Sequence, residues 1–333
     1  MRNPSFSPLA VASPNSPPAA FLLDVLSGLA GTQKGIPPRW FYDEEGSRLF
    51  EDITRLPEYY PTRCERAILA MNMESIAPLL GRNKVLVEFG AGSATKTSEL
   101  LRHAALSEYI AIDISGEFLR QSVDSLQTQF PHIPMQALEA DFLHPLELPA
   151  TVRQRGAVGF FPGSTLGNLS EAAAVDLLRG FGNTLGPDAR LLLGVDLLKS
   201  DSILLPAYDD SQGVTAAFNL NLLHRINREL SGSVPVSAFE HEVRWNERFS
   251  RIEMHLRARR DMRFRVAGRC FSMEEGETIH TENSYKYTAR DIRLLLRAGG
   301  WNVTGWWTDQ DGYFAVMAAE PISFAASQEY SAG

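Results

Sequence analysis

The residues best equipped for chemistry stand in two stretches far apart in the chain. "VLVEFGAGSATKTSELL" (85–101) reads as a buried strand, a glycine turn and the start of a helix. Gly90 and Gly92 let the backbone approach a ligand with no Cβ in the way, and the helix start offers N–H groups with no partner inside the helix. "GETIHTENSYKY" (276–287) reads as a strand, with Glu282 and Ser284 on one face and Ile279, Tyr285 and Tyr287 on the other. A wetted face of an antiparallel sheet explains that pattern with no function at all. A pocket wall, in which a carboxylate and a hydroxyl read a ligand, explains it too. Asn283, between the two, points away and says little.

A glycine turn alone is a weak signal, since an ordinary strand-to-helix connection also uses one. Two acids strengthen it. Asp113 closes the next strand in "YIAID", where a doubly wound fold places a carboxylate on a ribose hydroxyl pair. Asp141 in "LEADF" ends the third strand, suited to accept from an adenine amino group, with Phe142 beside the ring. Together they outline an adenosine site at the carboxyl edge of a sheet. NAD(H) and S-adenosylmethionine both carry adenosine. The dinucleotide pattern G-x-G-x-x-G meets Thr95 at its sixth position, whereas "EFGAG", with Glu88 two residues ahead of the first glycine, resembles the first motif of class I methyltransferases, which implies S-adenosylmethionine. Ala94 stands where many such turns have a third glycine. An NAD-dependent oxidoreductase is the alternative.

These residues need elements to hold them. Strands are expected at 84–90, 109–113, 134–141, 157–163 and 189–196, with helices around 95–106, 115–129 and 170–184, the last capped by Ser170. Such alternation implies a mainly parallel sheet covered on both faces. The segment 301–320 differs: two apolar strands around "DQDG" make a hairpin. A helix at 21–30, an aromatic- and proline-rich cap at 35–63, and an insertion with a helix over 207–230 followed by strands lie outside that rhythm, before a helix at 288–300. We expect an inserted domain at 20–61 plus 200–287, a cofactor domain at 62–199 plus 288–320, a disordered tail at 1–19 and a second tail at 321–333.

Composition bounds the function. A chain of 333 residues exceeds one ordinary core, and 44% hydrophobic content is ample for burial. A net charge of −8 argues against a nucleic-acid partner. Two cysteines, Cys64 and Cys270, give neither a disulfide framework nor a zinc spacing, and the seven histidines show no metal-ligand spacing, so no metal is expected. No apolar run approaches a membrane span, and the proline-rich start lacks the apolar core of a signal peptide. The chain is taken as a cytoplasmic monomer acting on a small molecule.

The ordered set "RWFYDEEGSRLFEDITRLPEYYPTR", "VEFGAGSATKT", "FFPGSTLGNL", "LLLGVDLLK", "AYDDSQGVTAAFN", "IEMHL" and "GETIHTENSYKY" resembles the histidine Nα-methyltransferase family from about residue 20 to 320. The resemblance implies a class I methyltransferase fold: a Rossmann-like doubly wound α/β sheet with a closing antiparallel hairpin, plus a discontinuous α+β substrate-binding domain. It implies methylation of L-histidine by S-adenosylmethionine, up to trimethylhistidine, in ergothioneine biosynthesis. By position it carries S-adenosylmethionine contacts onto Gly90, Lys96, Asp113, Asp141 and Phe142, with Tyr42 near the methyl donor. Asn168 and Tyr208 match contacts to the amino-acid carboxylate, and Tyr59, Glu282 and Ser284 match contacts to the imidazole. The Gly163 backbone falls near the amine. Without the resemblance, Asn168 is a turn former, Tyr208 a helix start and Tyr59 a core residue. A relative acting on another amino acid such as tryptophan is the nearer alternative, although an indole would not use the Glu282 and Ser284 pair fully. A non-catalytic binding protein is a third.

Overall fold

Short apolar runs closed by turns form strands. In the computed structural model, which describes residues 17–94 and 96–322, these are β1 (Lys34–Gly35), β2 (Lys84–Phe89), β3 (Leu106–Asp113), β4 (Met135–Glu139), β5 (Ala157–Phe161), β6 (Arg190–Asp196), β7 (Phe239–Asn246), β8 (Arg251–Ala258), β9 (Met262–Val266), β10 (Arg269–Met273), β11 (Thr278–Tyr285), β12 (Trp301–Thr308) and β13 (Phe314–Pro321). Seven of them make one sheet in the order β12-β13-β6-β5-β2-β3-β4. β2 runs parallel to β3 and β5, β3 to β4, and β5 to β6, while β13 is antiparallel to β6 and β12. This is the doubly wound α/β sheet with its closing hairpin. The chain leaves β2 for β3 and β4 on one side and returns to β5 and β6 on the other. The carboxyl ends of β2 and β5 therefore flank a topological switch point, where such sheets bind ligands.

Beyond Lys84, every residue of β2 is buried, as a parallel strand covered on both faces requires. Val85, Val87 and Phe89 join one core with Leu177 and Phe181 of the helix Glu171–Leu185. Leu86 joins the other with Ile68, Leu69 and Ile76 of the helix Tyr60–Leu80. Each fully buried side chain of this size is worth roughly 1.5–3 kcal/mol. β4 gains far less, with three of its five residues exposed, and lies at the sheet edge.

The helix starts follow local chemistry. Ser170 Oγ accepts from Ala173 N at 3.4 Å, as its N-cap role requires. The helix expected around 95–106 is confined to Thr97–His103, because the turn before it extends through Ala94 at φ +52° and Ala104 is already extended. The helix expected from 207 begins only at Val214, after a short 3-10 turn at Leu205–Ala207. Asp210 causes the delay: its carboxylate accepts from Gln212, Val214 and Thr215 N at 3.1, 3.0 and 2.7 Å, gathering the donors of the first turn.

The chain divides into two compact units. The smaller comprises residues up to Phe41, Asn219–Glu242 and Met254–Glu282; the larger comprises Tyr42–Phe218, Val243–Glu253 and the chain from Asn283 onward. Residues 42–61, 200–218, 243–253 and 283–287, expected with the inserted domain, thus fall with the larger unit. The smaller unit carries most of a four-stranded sheet, β1-β11-β8-β7, and the ribbon of β9 and β10. Its helix Pro17–Ala30 lies so close to β1 that a Cβ on Gly28 would stand 1.8 Å from Gly35 O. Of the expected tails, 1–16 and 323–333 lie outside the described residues, 17–19 open that helix, and Pro321 closes β13.

Candidate active site

At the end of β2 the chain turns through Gly90 at φ +70° and Gly92 at φ +51°, a region L side chains rarely enter. Among the described residues, chain neighbours aside, a Cβ on Gly92 would meet nothing within 4 Å. Asp113, at the end of β3, accepts from Gly92 N at 3.0 Å through one oxygen and from Ser115 N at 2.9 Å through the other. Burial raises its pKa above the ordinary aspartate value, and these N–H donors oppose the rise. Phe142 packs beside Gly90, 3.5 Å from where a Cβ would stand, edge-on to Phe161 at 5.5 Å. Asp141 Oδ1 accepts from Leu143 N at 3.0 Å. Open backbone at the turn, a carboxylate tied to it and an aromatic ring beneath it fit an adenosine-bearing cofactor.

Two routes lead away from this turn within the larger unit. The first is aromatic. Ser115 Oγ donates to Tyr42 O at 2.7 Å. The Tyr42 ring meets Phe50 at 5.6 Å and Phe218 at 5.7 Å; Phe50 meets Tyr59 at 6.2 Å; Tyr59 meets Tyr208 at 6.4 Å. Tyr208 OH lies 2.7 Å from Ser284 Oγ. Phe50, which sequence reading passes over, therefore joins Tyr42 to Tyr59, and Tyr59 leads directly to Tyr208 and Ser284.

The second route is charged. Lys96 Nζ sits 2.5 Å from Glu65 Oε2, and Gly163 N donates to the same buried carboxylate at 2.9 Å. Ser164, held at φ +59°, accepts from Asp196 N at 2.9 Å. Asp196 is fully buried at the end of β6. It takes the Tyr60 hydroxyl at 2.7 Å, Lys199 Nζ at 2.5 Å and Lys286 Nζ at 2.7 Å. Lys286 Nζ in turn reaches Tyr208 OH and Ser284 Oγ, each at 2.8 Å.

The expected residues thus gather with two exceptions. Half-buried Asn168 ends the 3-10 turn Thr165–Asn168, whose Gly167 sits so close that a Cβ would stand 3.0 Å from Tyr285 O. Glu282 is the last residue of the smaller unit, two residues before Ser284 on β11. Exposure is 9% for Glu282 and 4% for Ser284, so neither belongs to a wetted sheet face. Glu65, Asp196 and Lys286 are the residues sequence reading missed. Lys286 carried a signal, since the alternation that pairs Glu282 with Ser284 continues to it. Asp196 carried another, as an acid at the carboxyl end of a strand.

Residues 21–321 match the family described as "Histidine-specific methyltransferase, SAM-dependent". The chain is 42% identical over 302 residues to the histidine N-alpha-methyltransferase of Mycolicibacterium smegmatis, covering 89% of this chain and 93% of that protein. Against the histidine N-alpha-methyltransferase of Mycobacterium tuberculosis the figures are 40% over 303 residues, with the same two coverages. Ergothioneine biosynthesis protein 1 of Neurospora crassa is 27% identical over 301 residues, covering 87% of this chain and 34% of that longer protein.

Proposed function

The chain belongs to the S-adenosylmethionine-dependent, histidine-specific methyltransferase family, and we propose that it methylates the α-amino nitrogen of L-histidine, up to trimethylhistidine, in ergothioneine biosynthesis. It is an amino-acid N-methyltransferase. The observation that carries the reading within the site is the aromatic route from Asp113 through Ser115, Tyr42, Phe50 and Tyr59 to Tyr208 and Ser284, which links a cofactor turn to a polar wall suited to a small zwitterion.

In this reading Gly90, Lys96, Asp113, Asp141 and Phe142 hold S-adenosylmethionine, which supplies an electrophilic methyl group when bound. Asn168 and Tyr208 hold the amino-acid carboxylate; Tyr59, Glu282 and Ser284 read the ring; Tyr42 and the Gly163 backbone stand at the amine. An uncharged amine is nucleophile enough, so the residues contribute placement rather than covalent chemistry. Holding two reactants as a near-attack pair is worth roughly 7–11 kcal/mol in favourable cases. The aromatic rings suit the product as well, because a quaternary ammonium is drawn to π faces. Ring recognition by buried polar groups excludes side chains that leave those groups unpaired. Among the described residues no helix is long and apolar enough to cross a membrane.

The deciding experiment incubates the protein with S-adenosylmethionine and a mixture of the common amino acids and follows the products by mass spectrometry. Mono-, di- and trimethylhistidine are expected. Methylation of another amino acid in place of histidine, or of none, overturns the reading.

A further inference from the structure

Lys286 is fully buried, and its ammonium group has three hydrogens and no acceptor. The three reach Asp196 Oδ2 at 2.7 Å, Tyr208 OH at 2.8 Å and Ser284 Oγ at 2.8 Å. Both hydroxyl oxygens therefore accept from Lys286. The 2.7 Å between those oxygens is itself a hydrogen bond, and only one of the two hydroxyl hydrogens can lie in it. The other is directed away from Lys286 and from the shared bond. As a result the Tyr208 and Ser284 pair presents an outward O–H donor backed by a fixed positive charge.

That charge is not needed to balance Asp196. Lys199 Nζ already stands 2.5 Å from Asp196 Oδ1, and the Tyr60 hydroxyl donates to the same carboxylate. One carboxylate thus faces two ammonium groups, in surroundings where a charge acts more strongly than in water.

We propose that Lys286 is a positioning residue for the amino-acid substrate, orienting the Tyr208 and Ser284 hydroxyls so that one of them donates outward and supplying positive charge that complements the substrate carboxylate. The proposal rests on the amino-acid reading of the site and deepens it. A lysine that only held the fold together would affect both ligands alike. Lys286→Met removes the charge and the donors; Lys286→Gln keeps an amide donor and loses the charge.

Calorimetric titration of the wild-type protein and both variants with L-histidine and with S-adenosylhomocysteine separates these roles, alongside steady-state kinetics. Loss of hydrogen bonds to a charged group predicts an L-histidine Kd about 30-fold higher in Lys286→Met, with a smaller rise, about 5-fold, in Lys286→Gln. The KM for histidine rises with it, while S-adenosylhomocysteine affinity stays within about twofold. Unchanged histidine affinity in a folded Lys286→Met protein, or equal weakening of both ligands, overturns the proposal; should Lys286→Met fail to fold, Lys286→Gln decides by the same criteria. A wild-type protein that binds S-adenosylhomocysteine but not L-histidine overturns the substrate reading instead, and this proposal falls with its premise.

Discussion

The glycine turn and the Tyr208–Ser284 wall both present polar groups to a small ligand, and they are built by opposite means. The turn is backbone held by one acid: Asp113 accepts from Gly92 N and Ser115 N, and every participant lies within β2, β3 and the turns that follow them. The wall is side chain on side chain, with Tyr60, Asp196, Lys199, Tyr208, Ser284 and Lys286 drawn from six separate elements or loops. A backbone site depends on conformation, which a few glycines secure. A side-chain site depends on charge balance, and removal of one member exposes the others.

The largest expected effect follows from that dependence. Asp196→Ala leaves the buried Lys199 and Lys286 ammonium groups without their shared carboxylate, a loss that typically costs about 3–5 kcal/mol of folding stability. Denaturant unfolding should show a lower midpoint at an unchanged slope. A loss under about 1 kcal/mol would mean that the wall tolerates imbalance as the turn does, and the contrast between the regions would collapse.

The same contrast explains what could be read in advance. The strands, their alternation with helices and the closing hairpin were legible because apolar runs, their lengths and the "DQDG" turn are local signals. Gly90, Gly92 and Asp113 were legible for the same reason. Asp196 obeys the rule that singled out Asp113, but its partners at 60, 199 and 286 are nowhere near it in sequence apart from Lys199. Lys286 continues the alternation of Glu282 and Ser284, yet a lysine near a strand end reads first as a solvated residue. The delayed helix start at Val214 escaped because one carboxylate, Asp210, takes three N–H groups at once. Roles for Tyr59 and Asn168 came from family resemblance alone, whereas for Glu282 the alternation offered a pocket-wall carboxylate and the resemblance supplied the imidazole.

A second test lies beneath the turn. Glu88 is buried, accepts from Tyr109 OH at 2.6 Å and from the Thr97 hydroxyl, and is pushed up to about 7 by burial, with those two hydroxyls opposing the rise. The folded protein then holds this proton more tightly than the unfolded chain, whose glutamates titrate near their ordinary value. Its contribution is therefore fully present at low pH and is lost as pH rises from about 4.5 to about 7, by about 3 kcal/mol in total. Glu88→Gln stays neutral throughout and keeps an oxygen for both hydroxyls. The stability of the variant relative to wild type should rise across that window and level off above it. A constant difference would place the ionisation elsewhere and make the turn side, like the wall, a matter of paired charges.

The smallest effect is the sharpest discriminator. Asp113→Asn leaves one of the two N–H groups, Gly92 or Ser115, facing an amide that can donate rather than accept. The turn should loosen without unfolding, and the lost charged acceptor should raise the S-adenosylhomocysteine Kd by about tenfold, or about 1.4 kcal/mol. Because Asp113 is joined to the wall indirectly, through Ser115 and the Tyr42 backbone, histidine affinity should change by less than about twofold. Lys286→Met predicts the reverse, with histidine lost and S-adenosylhomocysteine retained. Crossed losses of this kind would establish two sites that meet at the reacting atoms but are held independently. Parallel losses from Asp113→Asn would show that the aromatic route through Tyr42 and Phe50 couples them, and that the division between backbone-built and side-chain-built regions is one of construction without being one of energy.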